Sequence, residues 1–307
     1  MPPYTLDDLD LAPGKRARLY RLLHRHGPGG GLGMFLPVDQ GLEHGPRDFF
    51  DNPDSADPEF ELRLAEEGNF SAIVLQIGPA EKHIGRYAGR VPLVLKLNGK
   101  TEIPSDDEAL SPLNASVEDA VRLGADAVGY TLYVGSPAQD RDFQQLANVR
   151  QEANRLGMPL IVWSYPRGKF INAKGGQLTS WAIEYAARVA MELGADVVKV
   201  NLPELDLEKA RQTPKPYNTA IFDEEEAVRR VVRAAGRTPV LVSGGSRVDE
   251  EDVLAKARLS VRAGATGIIF GRNVWQRPYA QALALTRRIQ EIMLEEAGVL
   301  APAVARR

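Results

Sequence analysis

Lys199 lies in the run Asp196-Val197-Val198-Lys199-Val200-Asn201, flanked by valines, in a chain with ten lysines against 28 arginines. A lysine aimed into a packed interior is partly desolvated, which lowers its pKa and frees the amine to attack a carbonyl carbon. The same position also suits a buried lysine paired with Asp or Glu. Lys96, in Leu93-Val94-Leu95-Lys96-Leu97, is either a competing nucleophile or its electrostatic partner. Tyr165, in Trp163-Ser164-Tyr165-Pro166-Arg167-Gly168-Lys169, could move a proton beside such an amine, or could be a hydrogen-bonded core tyrosine. Asp39 leaves an apolar run in Val38-Asp39-Gln40-Gly41-Leu42-Glu43-His44-Gly45. It is placed to handle a proton or orient a substrate, or simply to hold the loop. His44, in the same loop, is a candidate substrate contact or an ordinary hydrogen-bonding residue.

Two glycine-containing segments read together as a phosphate site: Ser243-Gly244-Gly245-Ser246 and Gly271-Arg272-Asn273. Glycines let backbone N–H groups approach an anion closely, and Arg272 adds charge. Arg167 and Lys169 could take a phosphate or a carboxylate, Arg in a bidentate fork; alone, Lys169 reads as a solvated cation. Trp163 either walls the pocket or packs in the core. The four histidines, His24, His26, His44 and His83, form no HExxH or strand-borne ligand pair, so no metal site is expected. Zero cysteines exclude disulfides and a cysteine nucleophile.

These residues need a scaffold that aims them at one point. Eight short apolar, β-branched runs supply it: 34–38, 72–77, 92–97, 127–133, 159–165, 197–202, 239–243 and 267–271. Helical patterns lie between them, several opening on cap residues: Ser116, Thr179, Asp223 and Asp249. The segments LGADAV (123–128), LGADVV (193–198) and AGATGI (263–268) repeat a helix end, a glycine cap and a strand entry. Eight strand–helix units predict a (β/α)8 TIM barrel, a single domain over 1–307 with the barrel at about 30–297. The runner-up, an open doubly wound sheet, lacks a GxGxxG after its first strand. An amphipathic segment, 6–24, is expected to cover the bottom of the barrel, and a last helix to run from about 278 to 296. Helix-to-strand connections are tight, whereas several strand-to-helix loops are long (39–58, 98–115, 202–222). Every catalytic or phosphate-binding candidate above falls at a strand's C-terminal end or in the loop directly after it, the face on which barrels build sites.

Composition excludes other classes. The chain has 307 residues, is 44% hydrophobic, and carries 38 basic against 41 acidic side chains, with no basic stripe suited to nucleic acid. No apolar run approaches the roughly 18 residues of a membrane span. The acidic start MPPYTLDDLD does not resemble a signal peptide, so a cytoplasmic protein is expected.

The ordered set DQGLEHGP (39–46), LVLKLNGKT (93–101), WSYPRG (163–168), GADVVKVN (194–201), VSGGS (242–246) and IIFGRNVWQR (268–277) spans about 240 residues and resembles the archaeal-type class I fructose-bisphosphate aldolases among the DeoC-like aldolases. The resemblance implies reversible cleavage of fructose 1,6-bisphosphate to dihydroxyacetone phosphate and glyceraldehyde 3-phosphate. It implies a Schiff base on Lys199, with no metal or other cofactor. Tyr165 would be the principal acid/base and Asp39 would assist at the carbinolamine step. Ser243, Gly244, Gly245, Gly271 and Arg272 would hold the ketose C1 phosphate, with Arg167 and Lys169 as candidates for the distal one. Lys96, Trp163 and His44 would complete the pocket. It further implies a homo-oligomer, commonly a decamer in that family, and no nucleic-acid or membrane partner. Related dideoxyheptulosonate synthases and autoinducer thiolases share the scaffold. Deoxyribose-phosphate aldolase is less similar, because VNLPE follows Lys199. A non-catalytic sugar-phosphate-binding barrel and a flavin-binding barrel are the readings from other classes. Loop 203–219 is the stretch to which the sequence assigns no role.

Overall fold

The computed structural model describes Pro2 and residues 4–299, and its centre is a closed barrel of eight parallel strands in sequence order. They are β1 (Gly33–Pro37), β2 (Ala72–Leu75), β3 (Leu93–Lys96), β4 (Ala127–Val134), β5 (Leu160–Pro166), β6 (Val197–Val200), β7 (Val240–Ser243) and β8 (Gly267–Ile269). Each coincides with one of the eight apolar runs, with ends shifted by a few residues. Closure is made where β8 pairs with β1, Gly33 beside Gly267. A Cβ at Gly267 would lie 1.9 Å from the Gly33 carbonyl oxygen, so only glycine permits the seam.

Each strand is followed by a helix on the outside, from Pro58–Glu67 after β1 to Tyr279–Glu296 after β8. The four expected caps are in place: Ser116, Thr179, Asp223 and Asp249 accept hydrogen bonds from the amides of Asp119, Ala182, Glu226 and Asp252. Two buried apolar layers result. One lies between strands and helices; the other fills the barrel with Phe35, Val74, Val94, Ile161, Leu241 and Ile269.

The N-terminal segment caps the barrel's bottom, but not as one continuous helix. A short turn at Leu6–Asp8 is followed by a helix at Pro13–Tyr20 and a wider turn at Arg21–Arg25. Pro13 has no N–H to donate and so begins a helix rather than continuing one. Leu6, Leu19, Leu22 and Leu23 pack against the barrel's inner layer. The Lys15 ammonium meets the Asp196 carboxylate at 2.5 Å, and Arg21 Nε donates to Asp126 at 2.9 Å, fixing the plug to the strand entries of β6 and β4. Leu22 is wholly buried. Leu22→Ala is expected to cost about 2–5 kcal/mol of unfolding free energy in a urea titration. A change below about 0.5 kcal/mol would mean the plug is not part of the cooperative core.

Candidate active site

Strand alternation determines which side chains reach the barrel's mouth. Thr131, Trp163, Lys199 and Leu241 form one register line across β4 to β7, all pointing inward. Two residues further up, on the same face, come Tyr165 on β5 and Ser243 on β7. Asp39 follows Phe35 and Pro37 on the inward face of β1. Lys199, Asp39 and Ser243 are therefore buried, yet all three line a cavity of about 870 Å³ at the carboxyl end of the barrel. That volume is ordinary for a small-molecule site.

Lys199 and Tyr165 touch: the lysine amine hydrogen-bonds the tyrosine hydroxyl and lies 4.3 Å from the centre of its ring. Burial is the largest influence on Lys199 and brings its pKa down to about 7. Asp39 and Glu43 pull the other way, and Lys96 and Arg272 add to the lowering. The amine is thus a free nucleophile for a large fraction of the time near neutral pH.

The second lysine has a different setting. Lys96 is fully buried, donates to Thr131 Oγ1 at 2.7 Å and the Asn98 carbonyl at 3.3 Å, and lies 3.5 Å from Asp39 Oδ2 and 3.8 Å from Glu43 Oε1. It also faces the Trp163 ring at 5.2 Å. Lys96 is therefore the fixed partner of two carboxylates beneath the pocket, and Trp163 both packs and lines the cavity wall.

Glu43 is the residue to which sequence reading gave no role. It occupies the short helix Gln40–His44, four residues after Asp39, and that spacing turns both carboxyls toward Lys96. Burial first, and the neighbouring Asp39 second, raise its pKa. A carboxyl that holds its proton more tightly than usual, beside a nucleophilic amine, is suited to donate one. The spacing was the available signal, hidden because Glu43 sits in a loop rich in other polar residues.

Across the pocket, the segments after β7 and β8 meet. Ser243 donates its hydroxyl proton to Asn201 Oδ1 at 2.6 Å, and Lys256 and Asn273 donate to the Gly244 carbonyl at 3.2 and 3.1 Å. These bonds hold the loop from behind. Among the described residues, none accepts from the amides of Gly244, Gly245, Gly271 or Arg272, which leaves four donors around one corner of the cavity. A Cβ at Gly271 would lie 2.6 Å from the Pro37 carbonyl oxygen, so this close approach needs glycine. Arg272 lines the same corner and lies 3.6 Å from Asp48, whose carboxylate is also 2.7 Å from His44 Nδ1. His44 thus reaches the cavity wall as the partner of Asp48. Asn201, Lys256 and Asn273 were not singled out from sequence, since their work is on main-chain and side-chain atoms distant along the chain.

Arg167 lies over the Tyr165 ring at 5.1 Å and lines the cavity. Lys169 does not line it: it begins a four-residue helical turn, is half exposed and lies 4.0 Å from Glu108. The stretch 203–219 forms part of the outer rim through Pro203–Asp206, then a short helix, Leu207–Ala210.

Residues 33–277 match the family described as DeoC/LacD family aldolase. A fructose-bisphosphate aldolase class 1 from Thermoproteus tenax is 45% identical over 265 residues, covering 86% of this chain and 90% of that protein. A Methanocaldococcus jannaschii protein, fructose-bisphosphate aldolase/6-deoxy-5-ketofructose 1-phosphate synthase, is 33% identical over 272 residues, covering 85% and 81%. Among solved structures, an archaeal fructose-1,6-bisphosphate aldolase with its catalytic lysine covalently bound to the carbinolamine intermediate is 42% identical, with a TM-score of 0.75 over 90% of this chain and 98% of that one. The fructose-bisphosphate aldolase of Slackia heliotrinireducens is 28% identical, with a TM-score of 0.81 over 96% and 92%.

Proposed function

The chain belongs to the DeoC/LacD family of aldolases, and from that premise we propose that it is a metal-independent class I fructose-bisphosphate aldolase, a lyase that reversibly splits fructose 1,6-bisphosphate into dihydroxyacetone phosphate and glyceraldehyde 3-phosphate. The observation that carries the reading is the desolvated Lys199 amine in contact with the Tyr165 hydroxyl, in a cavity with four unused main-chain donors at one corner.

The ketose C1 phosphate binds at that corner, to the amides of Gly244, Gly245, Gly271 and Arg272 and to the Arg272 guanidinium, with Ser243 beside them. This anchor brings the C2 carbonyl to Lys199. The Lys199 nitrogen bonds to C2 and the carbonyl oxygen becomes a hydroxyl, giving a carbinolamine. Glu43 gives that hydroxyl a proton, water leaves, and the nitrogen lone pair closes the iminium; Asp39 and Lys96 keep the charges beneath it balanced. Tyr165, having given its own proton to the Glu43 carboxylate, takes the C4 hydroxyl proton as a phenolate stabilised by the neighbouring iminium cation. The C3–C4 bond breaks, its electron pair moves into the iminium to give an enamine, and the aldehyde departs. Tyr165 returns a proton to C3, and water then hydrolyses the iminium to release dihydroxyacetone phosphate and restore the free amine.

The synthase, thiolase and non-catalytic barrel readings are not favoured, since the similar proteins are class 1 fructose-bisphosphate aldolases. The test is cleavage of fructose 1,6-bisphosphate in the presence of EDTA. Equal amounts of the two triose phosphates are expected. Activity that EDTA abolishes and zinc restores, or no cleavage at all, would overturn the reading.

The Lys199 pKa sets a pH dependence. Its lowering means that the amine is mostly protonated below about pH 7 and mostly free above it. The second-order rate of imine formation with dilute dihydroxyacetone phosphate should therefore rise about tenfold per pH unit below 7 and level off above it. A rise that continues toward pH 10 would mark a lysine with no such perturbation.

The enzyme is a cytoplasmic homo-oligomer in this reading. No helix of the described residues is long and apolar enough to cross a membrane, and Phe50 and Ile221 stand exposed on the surface. Light scattering on the purified protein measures the assembly, and a monomeric mass would contradict it.

A further inference from the structure

Behind the phosphate corner lies a lysine that no acid neutralises. Lys256 is on the helix Glu250–Arg262, four residues after Asp252, the spacing at which an acid and a base ordinarily pair on a helix surface. That pair does not form. No carboxylate among the described residues comes within 4.0 Å of the Lys256 ammonium, which reaches inward and donates to the Gly244 carbonyl at 3.2 Å. Lys256 is half-buried. It lines the part of the cavity that continues past the Ser243–Gly245 segment, toward Glu224 and Val228 of the helix Glu224–Ala234. The Gly244 carbonyl accepts a second bond, from Asn273 Nδ2 at 3.1 Å. Asn273 is wholly buried and is itself held: its Oδ1 accepts from the Val248 amide at 2.9 Å, and its carbonyl from Arg277 Nε at 2.8 Å. A Cβ at Gly244 would lie 2.7 Å from Asn273 Nδ2, so glycine is needed for the peptide to come this close.

We propose that Lys256 is a positioning residue for the ketose C1 phosphate, acting through the peptide that joins Gly244 to Gly245 and supplying a positive charge whose counter-ion is the phosphate itself. The proposal rests on the aldolase reading, which puts that phosphate at the amides of Gly244, Gly245, Gly271 and Arg272. In a trans peptide the C=O and the next residue's N–H point in opposite directions. Holding the Gly244 oxygen against Lys256 and Asn273 therefore turns the Gly245 N–H away from both, toward the open corner of the cavity. Two donors on one carbonyl, one of them charged, also draw electron density onto its oxygen and make that N–H a stronger donor. Amides carry no net charge, and a phosphate monoester brings nearly two negative charges. Arg272 answers one of them, but it lies 3.6 Å from Asp48 and is partly spent there. Lys256 answers the remainder from the far side of the loop. A half-buried ammonium with no counter-ion is unfavourable until an anion arrives, so the arrangement favours a phosphorylated ketone over a bare one. Its effect falls on holding the phosphate, and the bond to C2 is left to Lys199.

The test compares dihydroxyacetone phosphate with dihydroxyacetone, the same ketone without the phosphate. The readout is the ratio of their second-order rates of imine formation, trapped by borohydride, in the wild type, Lys256→Met and Lys256→Arg. Lys256→Met removes both donor and charge, and is expected to lower the ratio about tenfold. Lys256→Arg keeps both and should stay within about threefold of the wild type. In cleavage of fructose 1,6-bisphosphate, the loss in Lys256→Met should appear in KM, with kcat little changed. A ratio unchanged in Lys256→Met, an equal loss with both ketones, or a loss in kcat alone would overturn the proposal and leave Lys256 as a brace of the loop. A wild type that traps neither ketone would instead overturn the aldolase reading. Calorimetry with inorganic phosphate then decides the role of Lys256 by itself: binding about tenfold weaker in Lys256→Met supports it, and equal binding overturns it.

Discussion

Lys199→Ala is expected to lower the turnover of fructose 1,6-bisphosphate by about 10⁴-fold or more. The imine is the electron sink for the C3–C4 bond, so its loss removes the pathway rather than weakening one contact. No neighbour can substitute. Lys96 is the nearest alternative amine, but Thr131, the Asn98 carbonyl and Asp39 surround it at 2.7–3.5 Å, and it lies beneath Trp163. Lys199→Arg should be as inactive, because a guanidinium stays protonated and cannot form the bond to C2. Activity within tenfold of wild type in either variant would mean that the carbonyl is activated elsewhere. Circular dichroism and the unfolding midpoint separate loss of chemistry from loss of fold.

Tyr165→Phe is expected to lower cleavage by about 10²–10⁴-fold, the usual worth of a positioned acid/base. The useful part is what should survive. Lys199 keeps its burial in this variant, so dihydroxyacetone phosphate should still form an imine that borohydride can trap. Proton exchange at C3 of the bound triose phosphate should fall together with cleavage, since one hydroxyl serves both steps. Normal C3 exchange alongside lost cleavage would separate the two proton transfers and give the second to another group. Loss of trapping would show that Tyr165 is needed to hold Lys199 in place.

Most of the barrel was legible because its signals are local. A buried parallel strand must be a short apolar run, and a helix that feeds the next strand must end in a glycine or cap, so the eight units could be counted along the chain. Lys199 stood out because a charged residue among valines has to be explained by a partner or by chemistry. The amphipathic N-terminal segment covers the barrel's bottom as expected, but its division at Pro13 and the pairs that hold it, Lys15–Asp196 and Arg21–Asp126, more than 100 residues apart in sequence, were not legible. Long-range pairs of that kind leave no mark on periodicity. The same reason hid Lys256 and Asn273, whose side chains brace the Gly244 carbonyl. It also hid Asp106, an ordinary acid in a polar loop until Arg167 reaches it from the end of β5. Glu43 was nearer to view, four residues from Asp39, but a helical turn had to be known before that spacing meant a shared partner.

The central claim is that Lys199 forms a covalent imine with the ketose. It is tested by adding dihydroxyacetone phosphate in the presence of EDTA, reducing with borohydride, and locating the adduct by peptide mass spectrometry. Hydride adds to the C=N bond and leaves a stable secondary amine on whichever lysine formed it. The account requires one adduct per chain, on the peptide containing Lys199, absent in Lys199→Ala. An adduct on the peptide containing Lys96, or inactivation by borohydride with no adduct on Lys199, would contradict it.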